Sequence, residues 1–92
     1  MTIEKSITIK NKHGLHARPA ALFVQIANKY NCDITIQKGK QKINGKSIMG
    51  IMMLEAGVGS KILVTAIGDD AEEAMSALEE LLLSDGIEDF KI

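Results

Sequence analysis

The most reactive side chains of this sequence lie in one short stretch near its start. The only two histidines, His13 and His16, the only arginine, Arg18, and the only proline, Pro19, all fall there. A neutral imidazole can act as a nucleophile, and a guanidinium can hold two oxygens of a phosphoryl group at once. We therefore predict that this stretch carries the chemistry of the protein.

The same stretch lies where a strand pattern changes to a helix pattern. Residues 3–9 alternate isoleucine with polar residues, which is typical of a half-buried strand. From Ala17 onward the apolar residues recur at helical spacing, and Pro19 suits the first turn because its missing N–H would have no partner there. We therefore expect His16 to lie directly before the start of a helix.

A helix start at this point predicts a phosphate site. The backbone amides of Ala17 and Arg18 would have no carbonyl partner within the helix, and the helix dipole favours an anion there. The same positive field disfavours the protonated imidazole, so His16 should be largely neutral near neutral pH and able to attack phosphorus. Arg18 would hold the phosphoryl oxygens in two-point fashion, and Gly14 would allow the backbone to turn sharply.

Other chemistries fit this stretch less well. It contains no acid to act as a general base, and the sequence has no glycine-rich nucleotide-binding loop. His13 and His16 could be a pair of metal ligands, but neither lies mid-helix, and no cysteine or acid completes a shell. We predict neither a metal nor a cofactor, and a site that accepts a phosphoryl group and passes it on.

The remaining pattern predicts an α+β fold in which one mainly antiparallel sheet is covered on one face by helices. The element order is β-α-β-β-α-β-α. The predicted elements lie at residues 3–9, 17–27, 32–36, 41–43, 48–54, 62–67 and 71–82.

Several local signals refine this prediction. Ser47 is placed to cap the short second helix, and Asp70 with Glu73 has the spacing of a capping box for the last one. Gly86 is the expected stop of that last helix. The strand at 62–67 is continuously apolar, so it should be central in the sheet.

The composition indicates one domain over residues 1–92 that is not made for a membrane. The one cysteine, Cys32, alternates with isoleucines as a core thiol, and a single cysteine favours a reducing compartment. The longest apolar run, residues 48–54, is too short to span a bilayer, and the N-terminal residues have no signal-peptide pattern. The expected location is the cytoplasm.

The charge is unevenly distributed along the chain. Residues 1–46 hold eight lysines and one arginine against two acids, a net +7, whereas residues 47–92 hold two lysines against ten acids, a net −8. Lys12, Arg18 and Lys46 have no acid nearby in sequence, and a face built from them would attract an anionic substrate or an acidic partner. The near-neutral total and the scarcity of aromatic residues argue against nucleic acid as a partner.

Two segments resemble the signatures of a known family. Residues 14–20, GLHARPA, resemble the active-site signature of HPr, the histidine-containing phosphocarrier of the bacterial sugar phosphotransferase system. Residues 46–52, KSIMGIM, resemble its regulatory serine segment. Two separate motifs at the family's spacing are far more specific than one.

The resemblance implies a fold and a reaction. The fold would be an open-faced β-sandwich of four antiparallel strands in the order 1-4-2-3, with three helices on one face. His16 would take a phosphoryl group on Nδ1 from enzyme I, which draws it from phosphoenolpyruvate, and would pass it to a sugar-specific enzyme IIA. Arg18 would assist, so the protein would be a carrier rather than a stand-alone catalyst.

The resemblance also implies regulation. Ser47 would be phosphorylated by an HPr kinase/phosphorylase, and a carbon-control transcription regulator would bind the modified form. A phosphate at a helix N-terminus is electrostatically tolerated, so the modification would alter docking by charge rather than by unfolding. Independently of the resemblance, so short a helix cannot bury all its apolar residues: Ile51 and Leu54 are the better inward candidates, and Ile48, Met49 and Met52 are expected to form an exposed patch beside His16 that docks partners. No feature of the sequence indicates a stable oligomer, so we expect a monomer.

Two alternative functions also fit the sequence. One is a purely regulatory module with Ser47 as its switch, although the regulatory paralogue of the family lacks the histidine that this chain has as His16. The other is a nitrogen-type phosphocarrier in a signalling relay. The chain also departs from the family pattern: His13 replaces a small polar residue, and Met53 and Glu55 replace residues that are often polar and small.

Overall fold

The computed structural model describes residues 1–10, 14–15 and 17–84, and the elements within them follow the predicted order. The strands are β1 (Thr2–Thr8), β2 (Asp33–Lys38), β3 (Gln41–Asn44) and β4 (Lys61–Ile67). The helices are α1 (Ala17–Ala27), α2 (Ile48–Met53) and α3 (Ala71–Leu83).

The four strands form one antiparallel sheet in the order β1-β4-β2-β3, which confirms the order implied by the family resemblance. Strand β4 is central, as its apolar sequence predicted, because it pairs with β1 on one side and β2 on the other. The register aligns Val64 of β4 with Ile36 of β2, and Ile36 with Ile43 of β3. These side chains share one face of the sheet because side-chain direction alternates along a strand.

The helices cover that face, and the opposite face is open, so the fold is the predicted open-faced sandwich. In β2 and β4 the buried residues alternate with more exposed ones, and the buried set packs in one cluster with the helices. The stripe predicted for α3 is buried throughout: Ala71, Ala74, Met75, Leu78, Leu81 and Leu82. From α1, Phe23 is fully buried, and burial of an apolar side chain of that size contributes about 1.5–3 kcal/mol.

The predicted capping box at the start of α3 is wrong. Asp70 is the N-cap residue, but its side chain makes no capping hydrogen bond. Its two carboxylate oxygens instead accept hydrogen bonds from the backbone amides of Asn31 (2.8 Å) and Cys32 (3.0 Å). These amides hold the pKa of Asp70 below its ordinary value, that of Asn31 most strongly. The carboxylate thus joins the start of α3 to the segment that leads into β2.

The end of α3 also differs from the prediction. The helix ends at Leu83 with Ser84 as its C-cap in an extended conformation, so it stops before Gly86, which lies outside the described residues. The predicted core thiol is confirmed, since Cys32 is buried and burial raises its pKa. Within the described part of the chain no helix could cross a membrane, and the 13 residues of α3 fall short of the roughly 20 needed.

Candidate phosphoryl-acceptor site

The centre of the predicted site lies between two described residues. His16, like Lys12 and His13, lies outside the described residues, but Leu15 and Ala17 on either side of His16 are described. Helix α1 begins at Ala17, as predicted. The first amides of α1, including those of Ala17 and Arg18, therefore have no carbonyl partner within the helix and can bind an anion.

Arg18 is placed as a phosphate-binding side chain should be. It lies in the first turn of α1 and is exposed, and its guanidinium forms no hydrogen bond or ion pair with any described residue. Pro19 beside it is buried in the same turn, where a proline removes no helical hydrogen bond. The guanidinium is thus available to bind phosphoryl oxygens next to the free amides.

The residues that precede His16 are fixed by the loop that follows α2. The Leu15 amide donates to the Ala56 carbonyl at 2.8 Å, and the Leu15 side chain is buried. Gly14 has a φ of +62°, and a Cβ there would lie 2.7 Å from the Cα of Gly57 and 2.8 Å from the Ala56 oxygen. Position 14 therefore requires glycine both for its backbone conformation and for the close approach of the loop.

The loop at residues 54–57 is itself held by a lysine from the sheet. Glu55 has a φ of +50° and is the only non-glycine residue in the described ranges with a positive φ. The ammonium of Lys38 donates to the carbonyls of Leu54 (3.2 Å) and Glu55 (3.1 Å). The loop that supports Gly14 and Leu15 is therefore anchored to the end of β2.

The sequence analysis missed this part of the site. No motif in the sequence marked Lys38 or Ala56 as part of it. One signal was present: Lys38 is in phase with Ile34 and Ile36 of the same strand, so it lies on the face that the helices cover. A lysine at a core-facing strand position needs polar partners, because a buried ammonium without them is costly.

The predicted cap of α2 is present. The Ser47 hydroxyl accepts a hydrogen bond from the Gly50 amide at 3.0 Å, and the Ser47 carbonyl accepts one from Ile51, also at 3.0 Å. Its backbone is extended, as is usual for an N-cap. Ser47 is half-buried, and the first turn of α2 contains no acidic residue.

Helix α2 exposes most of its apolar side chains, as predicted. The exposed fractions are 42% for Ile48, 73% for Met49, 43% for Met52 and 64% for Met53. Helical spacing places these residues on one side, which we call the α2 apolar face. The predicted core residues Ile51 and Leu54 are both buried on the other side.

Lys46 does not join a basic face around Arg18. Its ammonium donates to the Tyr30 carbonyl at 2.8 Å, just beyond the end of α1, whereas Ala56 at the other end of α2 contacts Leu15. The two helices therefore run in opposite directions. Because the 11 residues of α1 span about 16 Å, Lys46 and Ser47 lie nearer the far end of α1 than to Arg18.

The described residues contain no group of three or more histidine, cysteine, aspartate or glutamate side chains that could hold a metal ion. The described part of the site offers backbone amides, a guanidinium and an apolar helix face. These groups suit an anion and a protein partner.

Comparisons with known proteins agree with this geometry. Residues 3–84 match the family model described as the PTS HPr component phosphorylation site. The HPr-like protein Crh of Halalkalibacterium halodurans is 53% identical over 76 residues, which cover 83% of this chain and 90% of that protein. A crystal structure of the phosphocarrier protein HPr from Bacillus anthracis superposes with a TM-score of 0.85 at 51% identity, covering 88% of this chain and 96% of the other.

A third relative is described as a dimer. Crh of Bacillus subtilis, described as a catabolite repression protein that forms a domain-swapped, intertwined dimer, superposes with a TM-score of 0.73 at 38% identity. The match covers 91% of this chain and 97% of that one. Together the matches show that the chain belongs to the HPr family of phosphocarrier proteins.

Proposed function

We propose that this protein, acting as a single domain over residues 1–92, carries phosphoryl groups on His16. It accepts them from phosphorylated enzyme I, which is charged by phosphoenolpyruvate, and passes them to an enzyme IIA of a sugar permease. The proposed location is the cytoplasm, and the proposed active form is a monomer.

One observation carries this proposal: a histidine directly precedes a helix whose first turn offers unpaired amides and an exposed arginine. His16 adjoins Ala17, where α1 begins, and Arg18 follows in the first turn. Among the described residues, nothing competes for the Arg18 guanidinium. The residue types, their order and the helix start all favour an acceptor for a phosphoryl dianion.

The transfer steps follow from this arrangement. A neutral ring nitrogen of His16 attacks the phosphorus of the donor, so a P–N bond forms while the bond between phosphorus and the donor breaks and its electrons return to the donor. Arg18 and the amides of α1 stabilise the negative charge on the phosphoryl oxygens. Passing the group to enzyme IIA is the reverse process with a different partner, so the carrier needs no cofactor of its own.

Docking and regulation involve α2. The α2 apolar face is a suitable contact surface for several partners because methionine side chains adapt their shape. Ile48, Met49 and Met52 would contact enzyme I and enzyme IIA. Phosphorylation of Ser47 by an HPr kinase/phosphorylase would add negative charge at the start of this face and change which partner binds, including a carbon-control transcription regulator.

The test is phosphorylation of the purified protein by enzyme I and phosphoenolpyruvate, followed by intact mass. The expected product is one acid-labile phosphate that is absent in His16→Ala and present in Ser47→Ala. An unphosphorylated wild-type protein, with enzyme I shown to be active on another carrier, would refute the carrier role.

A regulatory module is the second candidate function. It is favoured by the 53% identity to a protein named HPr-like protein Crh and by the capped Ser47. Under this hypothesis His16 is dispensable, and phosphorylation of Ser47 by an HPr kinase creates the form that binds a transcription regulator. Binding that depends on Ser47, from a protein that enzyme I cannot phosphorylate, would favour this function over the first.

A further inference from the structure

Lys38 reaches the site from a different element. It is the last residue of β2 and lies on the same face of the sheet as Ile34 and Ile36, so its side chain leaves the sheet on the side of the helices. Its ammonium then donates to the carbonyls of Leu54 and Glu55, immediately after α2. Lys38 therefore links the sheet to the loop at residues 54–57 by two hydrogen bonds, and Gln41 of β3 donates more weakly, at 3.5 Å, to the preceding carbonyl of Met53.

The end of α2 needs such a partner. The last carbonyls of a helix have no partner within it, and they carry the negative end of the helix dipole. Helix α2 has no basic residue in its own last turn. A cation is favourable at that position, and Lys38 supplies it from outside the helix.

The loop also contains one residue, Glu55, in an unfavourable left-handed backbone conformation. Glu55 adopts a φ of +50°, which a residue with a Cβ rarely occupies, because its Cβ approaches the carbonyl oxygen that follows it. Lys38 binds the carbonyl of this same residue. The next residue, Ala56, accepts the Leu15 amide and contacts Gly14.

These contacts form one continuous path. It runs from Lys38 to the carbonyls of Leu54 and Glu55, then along the chain to Ala56, and from there to Leu15, the residue before His16. We propose that Lys38 is a positioning residue for phosphoryl transfer, which acts by holding the loop at 54–57 against the segment that presents His16. This inference rests on the proposed function of His16.

The experiment compares Lys38→Met with Lys38→Arg and with a control, Lys42→Met. Lys42 is an exposed lysine of the neighbouring strand whose side chain makes no hydrogen bond to a described residue, so its replacement removes the same charge without affecting the loop. The first readout is hydrogen exchange of the Leu15 amide, with the Val64 amide of the central strand reporting global stability. The second is the rate of a single phosphoryl transfer at saturating phosphorylated enzyme I.

We expect Lys38→Met to accelerate Leu15 exchange about tenfold while Val64 exchange changes less than about twofold. The transfer rate at saturation should fall about tenfold, because small displacements of a reacting group are costly, while the apparent affinity for enzyme I changes less than about twofold. A role limited to stability would change Val64 exchange as well. Lys38→Arg should restore most of the rate because it retains a donor of the same charge, and Lys42→Met should match the wild type.

A double-mutant cycle with Glu55→Gly tests the path itself. Glycine adopts the left-handed conformation without steric strain, so the loop should need less support in that background. We expect Lys38→Met to reduce the transfer rate only about threefold when residue 55 is glycine. An equal reduction in both backgrounds would show that Lys38 does not act through the conformation of Glu55.

The outcomes separate this inference from the proposed function. If the wild-type protein accepts a phosphoryl group and Lys38→Met behaves like Lys42→Met in both readouts, the positioning role is refuted and the carrier role stands. If the wild-type protein accepts no phosphoryl group from an active enzyme I, the carrier role and the positioning role fail together.

Discussion

Gly14 and Gly39 share a left-handed backbone conformation but differ in their surroundings. Their φ values are +62° and +60°; a Cβ at 14 would contact Gly57 at 2.7 Å, whereas a Cβ at 39 has nothing within 4 Å. Gly39→Ala should therefore cost only the conformational strain, about 1–2 kcal/mol. Gly14→Ala should cost ~1–3 kcal/mol more, because the added methyl group overpacks the loop.

Urea unfolding of both variants checks this prediction. Gly14→Ala should also be phosphorylated more slowly by enzyme I than Gly39→Ala, because residue 14 supports the segment before His16. Equal stability losses in the two variants would contradict the close contact between Gly14 and the loop.

Asp70 should make stability depend on pH. Its pKa is lower in the folded protein than the ordinary value of 3.8, because two backbone amides hydrogen-bond to the charged form. The contribution is therefore fully present above the unfolded-state pKa and is lost as the pH falls through the folded-state value. Asp70→Asn should lower the urea midpoint near neutral pH, and its difference from the wild type should shrink in acid.

Asp69→Asn is the matched control for Asp70. Asp69 is the exposed neighbour and accepts no hydrogen bond from a described residue, so its replacement should leave the midpoint almost unchanged. A difference between Asp70→Asn and the wild type that persists unchanged below the folded-state pKa would show that the two amide hydrogen bonds do not depend on the charge.

At the residue scale, the sequence predicted the placement of residues whose surroundings are local, and it missed contacts with distant parts of the chain. The positions of Arg18 and Ser47 at helix starts could be predicted, because the hydrophobic spacing already indicated where α1 and α2 begin. The contacts of Asp70 could not be predicted, because the amides that it binds belong to a segment about 40 positions away in the chain. Local spacing alone favours a capping box there, and only the tertiary fold shows which donors lie closer.

Ser47 determines the stability of α2 as an element. A helix of six residues is too short to be stable alone, so its cap and its packing must hold it. Ser47→Ala should cost about 1 kcal/mol in thermal or urea unfolding, because the hydroxyl partner of the Gly50 amide is lost. Ser47→Asp should retain most of the stability, since aspartate is also a good N-cap, yet weaken binding to enzyme I through its charge.

Ser76→Ala is the control, since Ser76 is exposed on α3 and makes no hydrogen bond through its side chain to a described residue. If Ser47→Asp lost as much stability as Ser47→Ala, a negative charge at this position would destabilise α2. Phosphorylation would then act on the helix itself and not only on docking.

The two sides of α2 should respond differently to substitution. Met49 is 73% exposed, so Met49→Lys should change the free energy of unfolding by less than about 0.5 kcal/mol while weakening the binding of enzyme I. Ile51 is fully buried on the opposite side, so Ile51→Ala should cost about 2–5 kcal/mol. Calorimetric titration with enzyme I measures the change in binding, and urea unfolding measures the change in stability. Unchanged binding by Met49→Lys would remove Met49 from the docking surface.

At the element scale, the sequence predicted the strands and helices well, because alternating and helical spacings are different and each appears clearly. The core stripe of α3 is buried as expected, and α1 begins at Ala17 as expected. The last apolar residue of α3 was predicted to within one position, but its stop was assigned to Gly86, because glycine is a strong stop signal and Ser84, where the chain becomes extended, is not. The sheet order followed from the family resemblance, since periodicity does not say which strands are neighbours.

For the whole molecule, we expect a monomer at micromolar concentration. Strand β1 pairs with β4 of the same chain over seven positions, from Thr2 with Ile67 to Thr8 with Lys61. A domain-swapped dimer would make the same contacts between two chains and would lose translational freedom in addition. Light scattering across a dilution series should give the mass of one chain. A dimer that persists on dilution would point to domain swapping as in the B. subtilis Crh structure.

The central position of β4 also fixes the order in which the molecule can be completed during synthesis. Until β4 has been synthesised, β1 has no strand to pair with, and the β2–β3 hairpin is the only part of the sheet that can form. Gly14 and Leu15 likewise lack their contacts until Ala56 and Gly57, in the loop that holds them, have been synthesised. The segment before His16 is therefore synthesised early, but the contacts that hold it form only after residues 56 and 57 have been added.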